Sequence, residues 1–167
     1  DRCVIMRGLF ITGTDTGVGK THTACLIARQ LAARGLRVGA YKPVCSGAEL
    51  DSQNQPVWDD IRRLSAAINV SATIDDICPQ RFLAPLAPPL AAEQEGRSVD
   101  EAQLMSGVKT WRARAEVLLV EGAGGLLCPL TATRTFADYA VDLNFPILVV
   151  ARPGLGTINH TLLTMEA

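Results

Sequence analysis

Between Gly13 and Thr21 the chain reads Gly-Thr-Asp-Thr-Gly-Val-Gly-Lys-Thr, set between an apolar run and a segment of helical period. Glycines let a backbone turn its N–H groups inward, and a helix that starts at the same point adds the positive end of its dipole. The product is an anion cradle. In it Lys20 can reach the β- and γ-phosphates of a nucleotide, and the Thr21 hydroxyl can ligate magnesium, the roles these positions have in a nucleotide phosphate loop. One detail departs from the strict phosphate-loop pattern: the glycine that precedes the Gly-Lys pair by four intervening residues is replaced by Thr14, with Gly13 one position earlier. Composition adds weight to Lys20. The chain has thirteen arginines but three lysines, Lys20, Lys42 and Lys109, and the first two sit just beyond apolar runs in glycine- or proline-marked loops. A compact ammonium, not a generic surface cation, is what those positions select.

Lys42 lies in Tyr-Lys-Pro-Val-Cys-Ser-Gly, residues 41–47, after a second apolar run. Ligands of open α/β sheets bind beyond the carboxyl ends of the strands, so Lys42 can face Lys20 across one cleft; a solvated lysine leaving a strand is the plainer alternative. A third run, Val117-Leu118-Leu119-Val120, delivers Glu121 into Gly122-Ala123-Gly124-Gly125. A carboxylate there can hold magnesium or its water, and the glycines permit close approach by a ligand or loop. Asp59 and Asp60 open a helical segment, where carboxylates are favoured whatever the function, so spacing alone assigns neither to a metal. His22 and His160 read as packed or hydrogen-bonded residues, and Trp58 and Trp111 as packing.

The elements that position these groups follow from hydrophobic period. Leu9–Thr12, 36–41, 117–120 and 147–150 are nearly continuous aliphatic runs, the pattern of parallel strands covered on both faces. Helices are expected from Lys20 to a stop at Gly35, over 59–68 and over 99–115, and another begins before the chain stops at Met165-Glu166-Ala167. Residues 49–57 read as a polar surface loop. Residues 84–96, with Pro85, Pro88 and Pro89, read as a stretch where proline limits helix and strand alike. The expected architecture is α/β, a mostly parallel sheet of the phosphate-loop NTPase type with helices on both faces. One domain over 6–167 is expected, with 1–5 upstream of the fold and its C-terminal part missing.

The 167 residues are 48% hydrophobic and 20% charged, enough apolar surface for a buried core. A formal charge of −1 supplies no basic field for nucleic acid or an anionic membrane. No apolar run approaches the roughly 18 residues of a bilayer span, and the expected setting is cytoplasmic. Cys3, Cys25, Cys45, Cys78 and Cys128 show no Cys-x-x-Cys spacing, so they read as reduced thiols.

Four segments in order, GTDTGVGKT, YKPVCSG, LLVEGAGG and LGTINH, closely resemble the dethiobiotin synthetase family, and the likeness runs from about Leu9 to the chain end. The resemblance implies a homodimeric ligase of biotin biosynthesis that uses 7,8-diaminopelargonic acid, carbon dioxide, ATP and magnesium. It implies that Gly17, Val18, Gly19, Lys20 and Thr21 hold the nucleotide phosphates and that Thr16 lies beside the transferred phosphoryl group. Thr21, Asp60 and Glu121 resemble the magnesium set, and Lys42 and Ser46 the substrate-side pair. Gly122, Ala123, Gly124 and Gly125 correspond to the region shared by nucleotide and substrate, with Gly122 and Gly124 on the nucleotide side. Leu155, Gly156 and Asn159 resemble the segment that meets the diamine's carboxylate, with a partner subunit contributing. Pro85 falls in a similar proline-containing segment. The family continues past this chain's end with the segments that contact adenine and ribose.

The chemistry sets its own demand. Carbon dioxide reacts with a neutral amine, whereas an alkylamine of pKa near 10.4 is neutral in roughly one molecule in a thousand around pH 7.4. A cation such as Lys42 beside it would disfavour the ammonium form and stabilise the carbamate. Two rivals share the fold: a cobyrinate-type amide-forming synthase and a nucleotide-driven switch protein. The Tyr-Lys-Pro-Val-x-Ser-Gly stretch argues against the first, and the lack of a second lysine early in the phosphate loop against the second.

Overall fold

The computed structural model describes residues 6–167, so the expectation for 1–5, and Cys3 with it, lies outside the described residues. The chain order is β1 (Arg7–Gly13), α1 (Lys20–Ala33), β2 (Val38–Tyr41), β3 (Val44–Ser46), β4 (Glu49–Leu50), β5 (Pro56–Val57), α2 (Asp59–Ala67), α3 (Ile74–Ile77), β6 (Gln80–Phe82), α4 (Pro88–Gln94), α5 (Glu101–Thr110), β7 (Val117–Glu121), α6 (Phe136–Leu143), β8 (Ile147–Val150) and α7 (Thr157–Glu166). Four strands form the central sheet in the order β2-β7-β1-β8, every pair parallel. The aliphatic runs become strands because both faces are covered. Phe10 and Tyr41 each align with Val120 and so share one face, which α5 and α6 cover. There Tyr41 and Tyr139 both donate their hydroxyls to the Leu104 carbonyl, and Trp111 packs against Gly39. Across β1, β2 and β7 lies α1, whose buried Ala24, Cys25 and Ala28 let helix and sheet approach closely. No helix among the described residues is long and apolar enough to cross a membrane.

Register places the site. Tyr41 aligns with Val120 and Ile11 with Glu121, so the residues that follow β1 and β2 flank Glu121 at one rim of the sheet. Three expectations are corrected. Residues 49–57 are not simply a loop: β4 and β5 pair antiparallel, Glu49 with Val57, across a turn in which Asn54 takes φ 59° and the Asp51 carboxylate accepts the N–H groups of Gln53 and Gln55. Within 84–96 the paired prolines start α4 rather than prevent it, because the first turn of a helix needs no N–H from them. The helix expected over 99–115 is α5 alone, capped by Asp100 and ending before Trp111. The indole of Trp111 is fully buried and donates to the Asp76 carbonyl.

Candidate active site

The loop after β1 turns on Gly17 (φ 72°) and Gly19 (φ 101°), left-handed conformations that glycine adopts without strain. Gly19 is also the N-cap of α1, and no side chain caps that helix, so its first N–H groups stay free to meet an anion. Lys20 folds back and donates to the Asp15 carbonyl at 3.0 Å. Burial, with the nearby charge of Lys42, lowers its pKa below the ordinary lysine value. The Thr21 hydroxyl lies 2.8 Å from both Asp60 Oδ1 and Glu121 Oε1.

The loop after β2 delivers Lys42 to the same place from the other side. Its Nζ lies 2.6 Å from Glu121 Oε1 and 3.0 Å from Asp60 Oδ2, and the Lys42 and Glu121 side chains are 3% and 2% exposed. Burial alone would lower the Lys42 pKa; the Glu121 and Asp60 carboxylates outweigh it and hold the group above the ordinary lysine value. For Asp60 burial works upward, yet Lys42 and the Thr21 hydroxyl leave its carboxyl below the usual range. Of the two readings the sequence left open for Lys42, the solvated lysine is corrected: the side chain is buried and paired. Its charge is offset by two acids.

These groups line one cavity of about 540 Å³. Of the anticipated residues, Thr16, Gly17, Gly19, Lys20, Thr21, Lys42, Ser46, Asp60, Pro85, Glu121, Ala123 and Gly124 are brought to its wall. Others are not. The Val18 side chain packs where a side chain on Gly13 would stand, Gly122 faces the rings of Phe10 and Phe136, and Gly125 packs against the Gly13 and Thr14 carbonyls. Leu155 and Gly156, just before α7, and Asn159, in its first turn, stand outside this cavity, with Leu155 97% exposed. Sequence reasoning missed His22, Cys45, Arg63, Leu86, Ala87, Pro88 and Cys128 on the wall; His22, read as packed or hydrogen-bonded, is exposed there. A usable signal existed for Arg63, which lies three residues after Asp60 and so on the same helical face. Ser46 donates its hydroxyl to the Leu86 carbonyl at 2.7 Å, which leaves its oxygen to accept.

The donor set fits a magnesium ion. Glu121 Oε2 is buried without a hydrogen-bond partner, and Thr21 has one proton for two carboxylates, so ligand capacity is left over at this point. Among the described residues no three His, Cys, Asp or Glu side chains are gathered for a metal, so a metal here depends on the Thr21 oxygen beside the two acids.

Comparison with known proteins bears on this geometry. Residues 7–167 match the family described as an AAA domain. The chain is 51% identical over 162 residues to the ATP-dependent dethiobiotin synthetase BioD of Anaeromyxobacter sp. (strain Fw109-5), covering 97% of this chain and 70% of the relative. It is 41% identical over 164 residues to the protein of the same name from Caulobacter sp. (strain K31), covering 97% and 70%. The one from Caulobacter vibrioides (strain NA1000 / CB15N) is 40% identical over 163 residues, covering 96% and 73%.

Proposed function

The chain belongs to the family of ATP-dependent dethiobiotin synthetases, and from that premise we propose how its sheet rim closes a diamino acid and carbon dioxide into dethiobiotin at the expense of ATP. The observation that carries the reading is the convergence of Lys20, Lys42, Thr21, Asp60 and Glu121 on one cavity. Lys20 has no carboxylate against it, so its ammonium and the free N–H groups of α1 receive the triphosphate, with Thr16 at the phosphoryl group that moves. Thr21, Asp60 and Glu121 would hold magnesium, which supplies charge neutralisation to the phosphates. Lys42 and the Ser46 oxygen stand on the remaining wall, where the two amines of 7,8-diaminopelargonic acid would lie.

In the proposed sequence one neutral amine adds to carbon dioxide and loses a proton, giving a carbamate. A carbamate oxygen attacks the γ-phosphorus, ADP departs, and a carbamic-phosphoric anhydride results. The second amine then attacks the carbonyl carbon and expels phosphate, which closes the ring. Lys20 stabilises charge on the moving phosphoryl group, and the Lys42 ammonium stabilises the carbamate. Leu155, Gly156 and Asn159, exposed and outside their own chain's cavity, fit a homodimer in which they meet the diamine's carboxylate at the partner's cavity. A reaction among small soluble molecules suits the cytoplasm.

The test is product formation from diamine, bicarbonate and magnesium with ATP, CTP or GTP in turn, read by mass spectrometry. Dethiobiotin made with ATP, and nucleotide hydrolysis stimulated by the diamine, are expected. Hydrolysis indifferent to the diamine but stimulated by a protein partner would overturn the reading in favour of a switch protein.

A further inference from the structure

Glu121 uses its two carboxylate oxygens unequally. Oε1 accepts from both the Thr21 hydroxyl and the Lys42 ammonium, whereas Oε2 is buried without a partner. Asp60 meets the same two donors, Thr21 on Oδ1 and Lys42 on Oδ2. An ammonium has three protons to donate and a threonine hydroxyl one, so Lys42 is the group able to serve both acids at once. Lys42 thus stands as a cation among the oxygens that a divalent ion would use, at a point shielded from water.

We infer that Lys42 is a built-in competitor of the metal: its ammonium keeps a bare divalent cation off Asp60 and Glu121, and it turns to the substrate when a cation arrives with the nucleotide. The inference rests on the reading above for what the metal and the substrate are. Two carboxylates and one ammonium sum to −1, where the acids alone would offer −2, so a lone divalent ion finds half the charge. A nucleotide brings several further negative charges beside Lys20, and the rim then supports both cations. With the acids engaged by metal, like charges at close range drive Lys42 toward the wall it shares with Ser46. Metal-nucleotide and diamine binding are then coupled, and the coupling is reciprocal. Coordination through Glu121 Oε2 alone would leave Lys42 in place, and no coupling would follow.

The test uses Mn²⁺ without nucleotide, its free fraction read by electron paramagnetic resonance, on the intact protein and on Lys42→Met shown folded by circular dichroism. The variant is expected to bind Mn²⁺ about tenfold more tightly or better. Equal affinities overturn the inference. Where Lys42→Met does not fold, the lysine-selective ¹⁵N spectrum of the unsubstituted protein decides, with Lys42 assigned through Lys42→Arg. Magnesium with a non-hydrolysable ATP analogue is expected to shift the Lys42 ammonium resonance, and an unmoved resonance overturns the inference. Failure to make dethiobiotin alongside a clear Mn²⁺ difference removes the functional reading and leaves the competing cation standing. Normal dethiobiotin formation with equal Mn²⁺ affinities removes this inference alone.

Discussion

The loops after β1 and β2 each close a parallel strand with a shielded lysine, yet they treat its charge in opposite ways. Lys20 meets a neutral carbonyl, that of Asp15, and burial together with Lys42 leaves it less basic than an ordinary lysine. Lys42 is buried more deeply and still ends more basic, because Glu121 and Asp60 stand against it at 2.6 and 3.0 Å. Burial is common to both, so it does not decide the outcome; the formal charge of the partner does. The first loop is left with a positive charge that an incoming phosphate can complete. The second is already complete, and whatever it does for a substrate begins with breaking a pair.

The sharpest break of this contrast is Lys42→Gln. It strands Glu121 as a buried carboxylate, so the urea-unfolding free energy is expected to fall by about 3 kcal/mol, the scale for losing one member of a buried pair. Diamine-dependent turnover falls with it while nucleotide affinity is retained. Unchanged stability would mean that the pair does not hold in solution, and a collapse in nucleotide affinity would move Lys42 to the phosphate side. Lys20→Gln is the complementary break. Turnover is expected to drop about a hundredfold, near 2.7 kcal/mol of transition-state stabilisation. Stability is held or slightly raised, since no carboxylate loses its partner. Steady-state kinetics beside a urea titration separates the two loops; turnover intact in Lys20→Gln would remove the phosphate assignment.

The same contrast shows where the sequence was legible. The aliphatic runs ending in Gly13, Tyr41 and Glu121 were readable as strands because continuous apolar stretches have few other uses, and a strand end is where chemistry-bearing residues gather in this class. That Lys20, Lys42 and Glu121 share a rim followed from that reading. That Lys42 is ion-paired did not, because it depends on the register Tyr41 to Val120, a contact between residues far apart in the chain. Elements fixed by short-range side-chain bonds were overlooked where their signal was local. Thr73 with Asp76 and Thr135 with Asp138 are capping boxes that start α3 and α6, and both are Thr-x-x-Asp in sequence. The pairing of β3 with β6 was not legible at all, since three-residue strands carry too short a period to read. Trp111 illustrates a tertiary override: helical period continues past it, but its buried indole ends α5 and sets the following residues in turns.

The smallest expected effect is in pH dependence, and its sign differs between the loops. Stability rises with pH wherever the unfolded chain binds more protons than the folded one. Lys20 is less basic when folded, so between its lowered pKa and the ordinary value of 10.5 the unfolded chain holds the extra proton, and the folded state gains as pH rises through that window. Lys42 is more basic when folded, so its contribution is fully present below 10.5 and is lost only above it. Asp60, held below 3.8, contributes above that value and loses its contribution as pH falls through its lowered pKa. The urea midpoint of the unsubstituted protein minus that of Lys20→Gln is therefore expected to climb as pH approaches 10.5. The corresponding difference for Lys42→Gln stays level over the same range, and that for Asp60→Asn shrinks only below pH 3.8. A Lys20 difference that fell with pH would mean that an anion already answers its ammonium in the folded chain, and the distinction between an open lysine and a paired one would be lost.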